Sequence, residues 1–238
     1  MARLTRQELK KDELAERLRA VREFLIQNQQ RIAQGSLATV VAVGVVIGAF
    51  LYVRSRQAQA SDTFAQAMAT FHAPVAEAPP PNTNPADLRF KTANEKYQQA
   101  LQGFAEVARR YSWYSQGKVA RFYAALCERE LGKFSDAEKD LSGIASGRDR
   151  DLGALAKMAL AGIYEQTGRN EQAERVYRDL EDHPASTVPK ATVELALAQL
   201  YQKTNPAQAT ALYKKIETEY PGSAAGDQAS KMLQGQSR

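Results

Sequence analysis

The residues able to do chemistry are few, and their spacing suits none. The 238-residue chain holds two histidines and one cysteine. His72 and His183 each stand near a proline in stretches that read as loops, and neither belongs to a set with metal-ligand spacing. Cys127 falls on a helical stretch with Ala124 and Leu131 on the same side. That is the setting of a buried, inert thiol, with no histidine nearby in sequence to activate it. A lone cysteine also closes no intramolecular disulfide. Asp136, Glu138 and Asp140 interleave with Lys133 and Lys139, the composition of a solvated helix face rather than an acid/base pair. No Gly-rich phosphate loop follows a strand pattern. These residues predict no catalytic centre, no cofactor and no metal, and the chain is expected not to be an enzyme.

The elements that carry these residues are helical throughout. Ala, Gln, Glu, Leu, Lys and Arg dominate, while Val, Ile and Thr are concentrated in a few places. The net charge is +5, unevenly placed. Residues 1–34 carry eight Lys/Arg against five Asp/Glu, whereas residues 87–238 carry 22 against 20. A nearly balanced main body argues against nucleic acid as a partner, which needs a clustered basic face.

The first long element is apolar. From Ile32 to Val53, 22 residues pass without a charge. About 20 such residues cross a ~30 Å hydrocarbon layer as a helix. Arg31, Arg54 and Arg56 bracket the run, and Tyr52 takes an interfacial aromatic's place. The expectation is a single membrane span at 35–54. Gly44 and Gly48 form a Gly-x-x-x-Gly step that could pack two such helices together, although glycine is also simply common in membrane helices. Ahead of it, residues 1–34 read as an amphipathic tail. Thr5 and Glu8 make a capping-box pair, and Leu14, Leu18, Val21 and Leu25 line one face. After Arg56 no Lys or Arg appears until Arg89, so the positive-inside rule leaves the N-terminus cytoplasmic. Ala58-Gln59-Ala60 resembles a cleavage site, but two arginines separate it from the apolar core. A secreted adaptor starting at Ser61 is the alternative.

Residues 55–86 are expected to form a membrane-proximal helix, with Phe64, Met68 and Phe71 on one face, and then a linker broken by Pro74, Pro79, Pro80, Pro81 and Pro85. Beyond it the sequence repeats. Gly132-x-Phe134-x-x-Ala137-x-x-x-Leu141-x-x-Ile144 recurs as Gly168-x-Asn170-x-x-Ala173-x-x-x-Tyr177-x-x-Leu180, and again as Ala209-x-x-x-Tyr213-x-x-Ile216. Ala100, Phe104 and Val107 form an earlier copy, one residue out of step. Ala159 to Tyr164 matches Ala196 to Tyr201. Each unit reads as two antiparallel helices, with a glycine ending the first and a small alanine where the helices touch. Residues 224–233 would cap the stack.

This pattern resembles the tetratricopeptide repeat family over residues 94–234. Arg121, Lys157 and Glu194 stand where that family's first-helix tryptophan usually does. The resemblance implies an all-α solenoid of about four helical hairpins in residues 87–238, acting by protein binding. It implies that the first helices line a peptide groove, through Phe122, Leu126 and Arg129, then Met158, Glu165 and Gln166, then Gln199, Gln202 and Lys203. The basic-Asn clamp of cytosolic chaperone-binding relatives is not present at these positions. The alternative reading is that the apolar residues among them pack the solenoid itself. Trp113, in Arg109-Arg110-Tyr111-Ser112-Trp113-Tyr114, reads as an inter-repeat turn tucked against the next helix, or else as a contact patch.

A basic tail, one anchor and a divergent solenoid is also similar in layout to the bacterial ancillary subunit of the Sec translocon, down to the Val21-Arg-Glu-Phe-Leu-Ile26 entry into the anchor. That likeness implies an inner-membrane protein with a periplasmic surface for translocating chains, chaperones or other envelope proteins. It further implies that helix 57–71 pairs with the helix after the linker. A different class remains open, an oligomerisation module acting through Gly44, Gly48 and the Leu14–Leu25 stripe.

Overall fold

The computed structural model describes residues 29–75 and 89–236, with side chains from residue 43. The tail's leucine stripe, the Thr5/Glu8 pair and most of the proline-rich stretch lie outside the described residues. Nine α-helices are present among them: α1 (Gln29–His72), α2 (Ala93–Arg110), α3 (Ser115–Glu130), α4 (Phe134–Ala145), α5 (Arg150–Gln166), α6 (Asn170–Asp182), α7 (Lys190–Thr204), α8 (Pro206–Glu219) and α9 (Ala224–Gln236). The chain divides into two compact units, Met1–Ala58 and Gln59–Arg238.

In the first unit the described side chains of α1 are apolar and uncovered. Val43, Val45, Val46, Ile47, Phe50, Leu51, Tyr52 and Val53 are all exposed, by between 49 and 67 %. A Cβ added at Gly44 or Gly48 would meet nothing within 4 Å among the described residues. Arg56 ends the apolar run by donating to the Tyr52 hydroxyl at 3.2 Å. No helix among the described residues is long and apolar enough to cross a membrane. The expected span at 35–54 begins ahead of the first described side chain.

The second unit is an all-α stack of helical hairpins, as the repeat predicts. Helices α3/α4, α5/α6 and α7/α8 form three successive pairs. The C-terminal end of α1 and α2 form a fourth, with Phe64 5.7 Å from Phe104, and a Cβ added at Gly103 would lie 3.1 Å from the Ala67 methyl. The helix at 57–71 therefore does pair across the proline-rich excursion. Phe90 N–H donates to the Pro74 carbonyl at 3.2 Å and closes the base of that excursion. Ala60, which sequence could take for a cleavage signal, is fully buried in this hairpin's core. Its small size is explained by packing.

One stripe builds every hairpin. Ala100, Ala137, Ala173 and Ala209 are each 0 % exposed. Four residues on, Phe104, Leu141, Tyr177 and Tyr213 are buried, and seven on so are Val107, Ile144, Leu180 and Ile216. This i, i+4, i+7 spacing puts three side chains on one helix face, with alanine at the closest approach. Gly132 and Gly168 end the first helices with φ of +73°, where L side chains are strained. The next N–H reaches back, Lys133 to the Glu128 carbonyl at 2.8 Å and Arg169 to that of Tyr164 at 2.7 Å, a Schellman closure. The third turn is shorter. Asn205 alone separates α7 from α8, its side chain accepting from the Gln208 N–H at 3.3 Å, with Pro206 at the first helical position. Helix α9 closes the stack by burying Ala225 and Ala229.

Replacing Ala173 with Leu puts three extra carbons where no space exists, at a cost of about 1–3 kcal/mol. Ala211→Leu, on an exposed position of α8, should stay within about 0.5 kcal/mol of the parent. Thermal melts of the two variants check this. Equal melting temperatures would show that the alanine stripe does not set helix spacing.

Candidate functional site

The first helices were expected to present an apolar groove floor; of its apolar residues Phe122 is buried, while Leu126 and Met158 are half-buried. Phe122 is 8 % exposed and shares a core with Ile144, Leu152 and Ala156. Leu126 packs against the same core, and Met158 packs against the next one. Helix α3 contacts α5 as well as α4, so these side chains share in unit-on-unit packing. The polar candidates have intramolecular partners as well. Arg129 donates to Glu130 at 2.7 Å, Glu165 accepts from the Tyr177 hydroxyl at 2.6 Å, and Gln202 accepts from that of Tyr213 at 3.5 Å. Gln199 is half-buried, and Gln166, Gln202 and Lys203 are exposed.

Arg121, Lys157 and Glu194 each form an ion pair across one of the three full hairpins. Arg121 meets Asp140 at 2.9 Å, Lys157 meets Asp179 at 2.5 Å, and Glu194 meets Lys215 at 2.8 Å. The third pair reverses polarity. Its Glu194 side chain is fully buried, with Lys190 also 3.9 Å away. A carboxylate so enclosed needs its cations, since breaking a buried pair costs several kcal/mol. The Glu194 hydrogen bond raises the Lys215 ammonium's pKa, and Lys157 holds the Asp179 carboxyl below its usual range.

A second set of bonds ties each of the last two hairpins to the one before it. The Tyr164 hydroxyl donates to Glu138 at 3.2 Å, and 37 residues on, Tyr201 donates to Glu174 at 2.6 Å. Around Glu138 the ring of contacts is complete. Arg169 donates to both carboxylate oxygens, at 2.7 and 3.2 Å, and to the Thr167 hydroxyl at 2.9 Å, with its guanidinium 4.5 Å over the Tyr164 ring. Arg169 accordingly pulls the Glu138 carboxyl pKa down. Sequence assigned Glu138 and Asp140 to a solvated face. Their partners lie 31 and 19 residues away, beyond any helix periodicity. The recurrence of Glu, Tyr and Thr at 36–37-residue spacing was the available signal.

Glu128 occupies the register of Tyr164 and Tyr201 and has no such bond. Its Oε2 is shielded from solvent without a partner. Burial pushes its carboxyl pKa up, and Asp140 and Asp136 add to the shift. Burial likewise pushes the Cys127 thiol up to about 12, that of an inert core thiol. The exposed His183 ring lies 3.3 Å from Asp179. Among the described residues no group of three or more His, Cys, Asp or Glu could hold a metal ion. Trp113 departs from its expected place: it is 93 % exposed, with no helix covering it. Arg109, Arg110 and Lys118 nearby are exposed too.

No family model and no curated protein matches the chain. Among solved structures the chain is similar to the nearly identical TPR-like repeats of a Podosopora anserina protein described as a kinesin light chain. The TM-score is 0.48 at 14 % identity, over 59 % of this chain and 77 % of that one. A single-substitution form of the same repeats gives a TM-score of 0.49 at 14 % identity, over 59 % and 76 %.

Glu128 yields a pH-dependent prediction. A carboxyl whose pKa is raised by folding costs stability as pH climbs from the ordinary carboxylate range through its folded value. Glu128→Gln should therefore raise the melting temperature at neutral pH, because the amide takes the same place without the charge that burial disfavours. The gain should vanish near pH ~4, where the native carboxyl is protonated. Paired thermal melts across that range test this, and a Gln variant less stable at neutral pH would contradict it.

Proposed function

We propose that this chain is a membrane-tethered protein-interaction scaffold of the cell envelope, with its N-terminus in the cytoplasm and its helical stack on the far side of the inner membrane. The observation that carries the tether is the bare apolar stretch Val43–Val53, uncovered on every face of the helix. Soluble monomers rarely expose contiguous apolar patches beyond a few hundred Å². Burying each large side chain contributes about 1.5–3 kcal/mol, and a lipid phase would do so for all of them. The charge-free run begins at Ile32, which gives the length a span requires. The Arg56 guanidinium lies 5.7 Å over the Tyr52 ring, at the point where an interfacial aromatic and a basic residue would anchor a helix end.

The binding activity rests on the helical stack. Stacked hairpins offer a long surface built from rigid elements, and the chain's one tryptophan stands free on it beside exposed arginines. Tryptophan and arginine are enriched among residues that dominate protein interfaces. The similarity in layout to the ancillary Sec subunit supports translocating chains, chaperones or channel subunits as the partners. The basic tail supports the orientation.

Expression of the full-length chain in a two-membrane bacterium tests both halves. The protein should stay with membranes after alkaline carbonate extraction, and protease added to spheroplasts should degrade the stack. Release by carbonate would remove the tether, and protection from protease would reverse the topology. A photo-reactive residue at position 113 should capture translocon subunits, chaperones or nascent envelope proteins. Adducts with cytoplasmic proteins alone would overturn the proposed location.

A further inference from the structure

The turns that join one hairpin to the next carry cations without partners. The α2–α3 turn, residues 111–114, and the α4–α5 turn, residues 146–149, are neighbours at one edge of the stack. Lys118, just after the first turn, and Arg148, in the second, line a common cavity of about 220 Å³ with Arg121, Ile144 and Leu152. Arg109, Lys118, Arg148 and Arg150 stand in or beside these turns. All four are exposed, and none has an ion pair among the described residues.

The acids of this edge are already engaged. Glu106 pairs with Arg110 at 2.9 Å, and Asp140 with Arg121 at 2.9 Å. Asp149 accepts from the Leu152 N–H at 3.0 Å, and Asp151 from the Ser186 N–H and hydroxyl at 3.1 and 2.8 Å. With the ion pairs set aside, four cations face Asp149 and Asp151, an excess of two positive charges. Arginines at the opposite turns are held, Arg129 by Glu130 and Arg169 by Glu138, both at 2.7 Å. The uncovered Trp113 lies in the α2–α3 turn itself, 93 % exposed.

The stack also begins at this edge. Gln116, in the first turn of α3, donates from its side-chain amide to the Ser61 hydroxyl at 3.0 Å. The charge-free run ends at Val53, eight residues before Ser61. Eight residues span at most about 28 Å whatever their path.

We infer that the edge formed by the α2–α3 and α4–α5 turns docks on anionic phospholipid, its free cations meeting lipid phosphates and Trp113 entering the headgroup layer. Guanidinium groups match phosphate oxygens with paired donors. An indole suits the lipid–water boundary because its ring is apolar and its N–H is not. Each contact is weak alone, and a tether raises the local concentration of lipid that the edge meets. The inference rests on the membrane tether proposed above. Channel subunits lie in the same layer, so their capture from position 113 is compatible with it.

Trp113 is the chain's only tryptophan, so its fluorescence reports on this edge without a label. The full-length chain is reconstituted into vesicles rich in phosphatidylglycerol and, separately, into phosphatidylcholine vesicles. In the anionic vesicles the emission should move to shorter wavelength and acrylamide quenching should fall severalfold. In the neutral vesicles both should match the protein held in detergent. About 1 M sodium chloride, where the Debye length is ~3 Å, should reverse the shift. Reversing all four charges, R109E with K118E, R148E and R150E, should abolish it while the circular dichroism stays helical, and Arg148→Ala alone should reduce it. Identical emission in the two vesicle types, or a shift that survives salt and charge reversal, would overturn the proposal. A shift that grows with the protein-to-lipid ratio would assign the edge to a second copy of the chain instead. Protein that resists carbonate extraction while Trp113 stays open to acrylamide would remove only the lipid contact, whereas release by carbonate would remove the tether first.

Discussion

The closeness of the two helices in each hairpin governs the molecule. Ala100, Ala137, Ala173 and Ala209 have no exposed surface, and a close-packed interior at these positions tolerates a methyl group better than a larger side chain. That contact fixes the interaxial distance, and the distance decides what happens four and seven residues later. A larger residue then fills the wedge that opens, as Phe104, Leu141, Tyr177 and Tyr213 do. No hairpin encloses these residues alone. Leu160 and Ile163 share a core with Phe122 and Leu141 of the unit before, so each unit's apolar face is completed by a neighbour.

Polar contacts then distinguish otherwise similar units. Tyr177 and Tyr213 each reach a partner on their own hairpin's first helix, while Tyr164 and Tyr201 each reach back to the preceding unit. Hydrogen bonds to a charged acceptor, as three of these four are, contribute about 1.5–3 kcal/mol each. Their larger effect is directional, since a hydroxyl that must meet a carboxylate admits one register. The first interface lacks this device. Leu101 stands in the register of Glu138, and Glu128 in that of Tyr164. Aromatic stacking does the work there, with Phe104 and Tyr123 at 5.2 Å and an interplanar angle of 21°.

The hairpins were legible in sequence because their signals are local or strictly periodic. Alanines 36 residues apart and glycines at the turns announce the geometry directly. The surface was less legible. Phe122 and Met158 are apolar at positions that could equally face a groove or the next unit, and periodicity within one helix does not separate the two. Trp113 occupies a short turn where a large side chain finds no neighbour to cover it, which only the path of the backbone reveals. The ion pairs left a trace as a missing tryptophan, but nothing in a single helix shows that Lys157 will find Asp179 across the hairpin.

The polarity of those pairs bears on how the chain avoids tangling with itself. Tandem units of similar shape can exchange partners while folding, between neighbours in one chain or between chains. Here the second and third hairpins carry opposite labels: Lys157 expects an acid, and Glu194 expects a base. A swap would set Lys157 against Lys215 and Glu194 against Asp179, two like-charge encounters, the second involving a fully buried carboxylate. The opposed polarity of the two pairs thus acts as a keying system, and wrong assemblies are penalised as the right one is favoured.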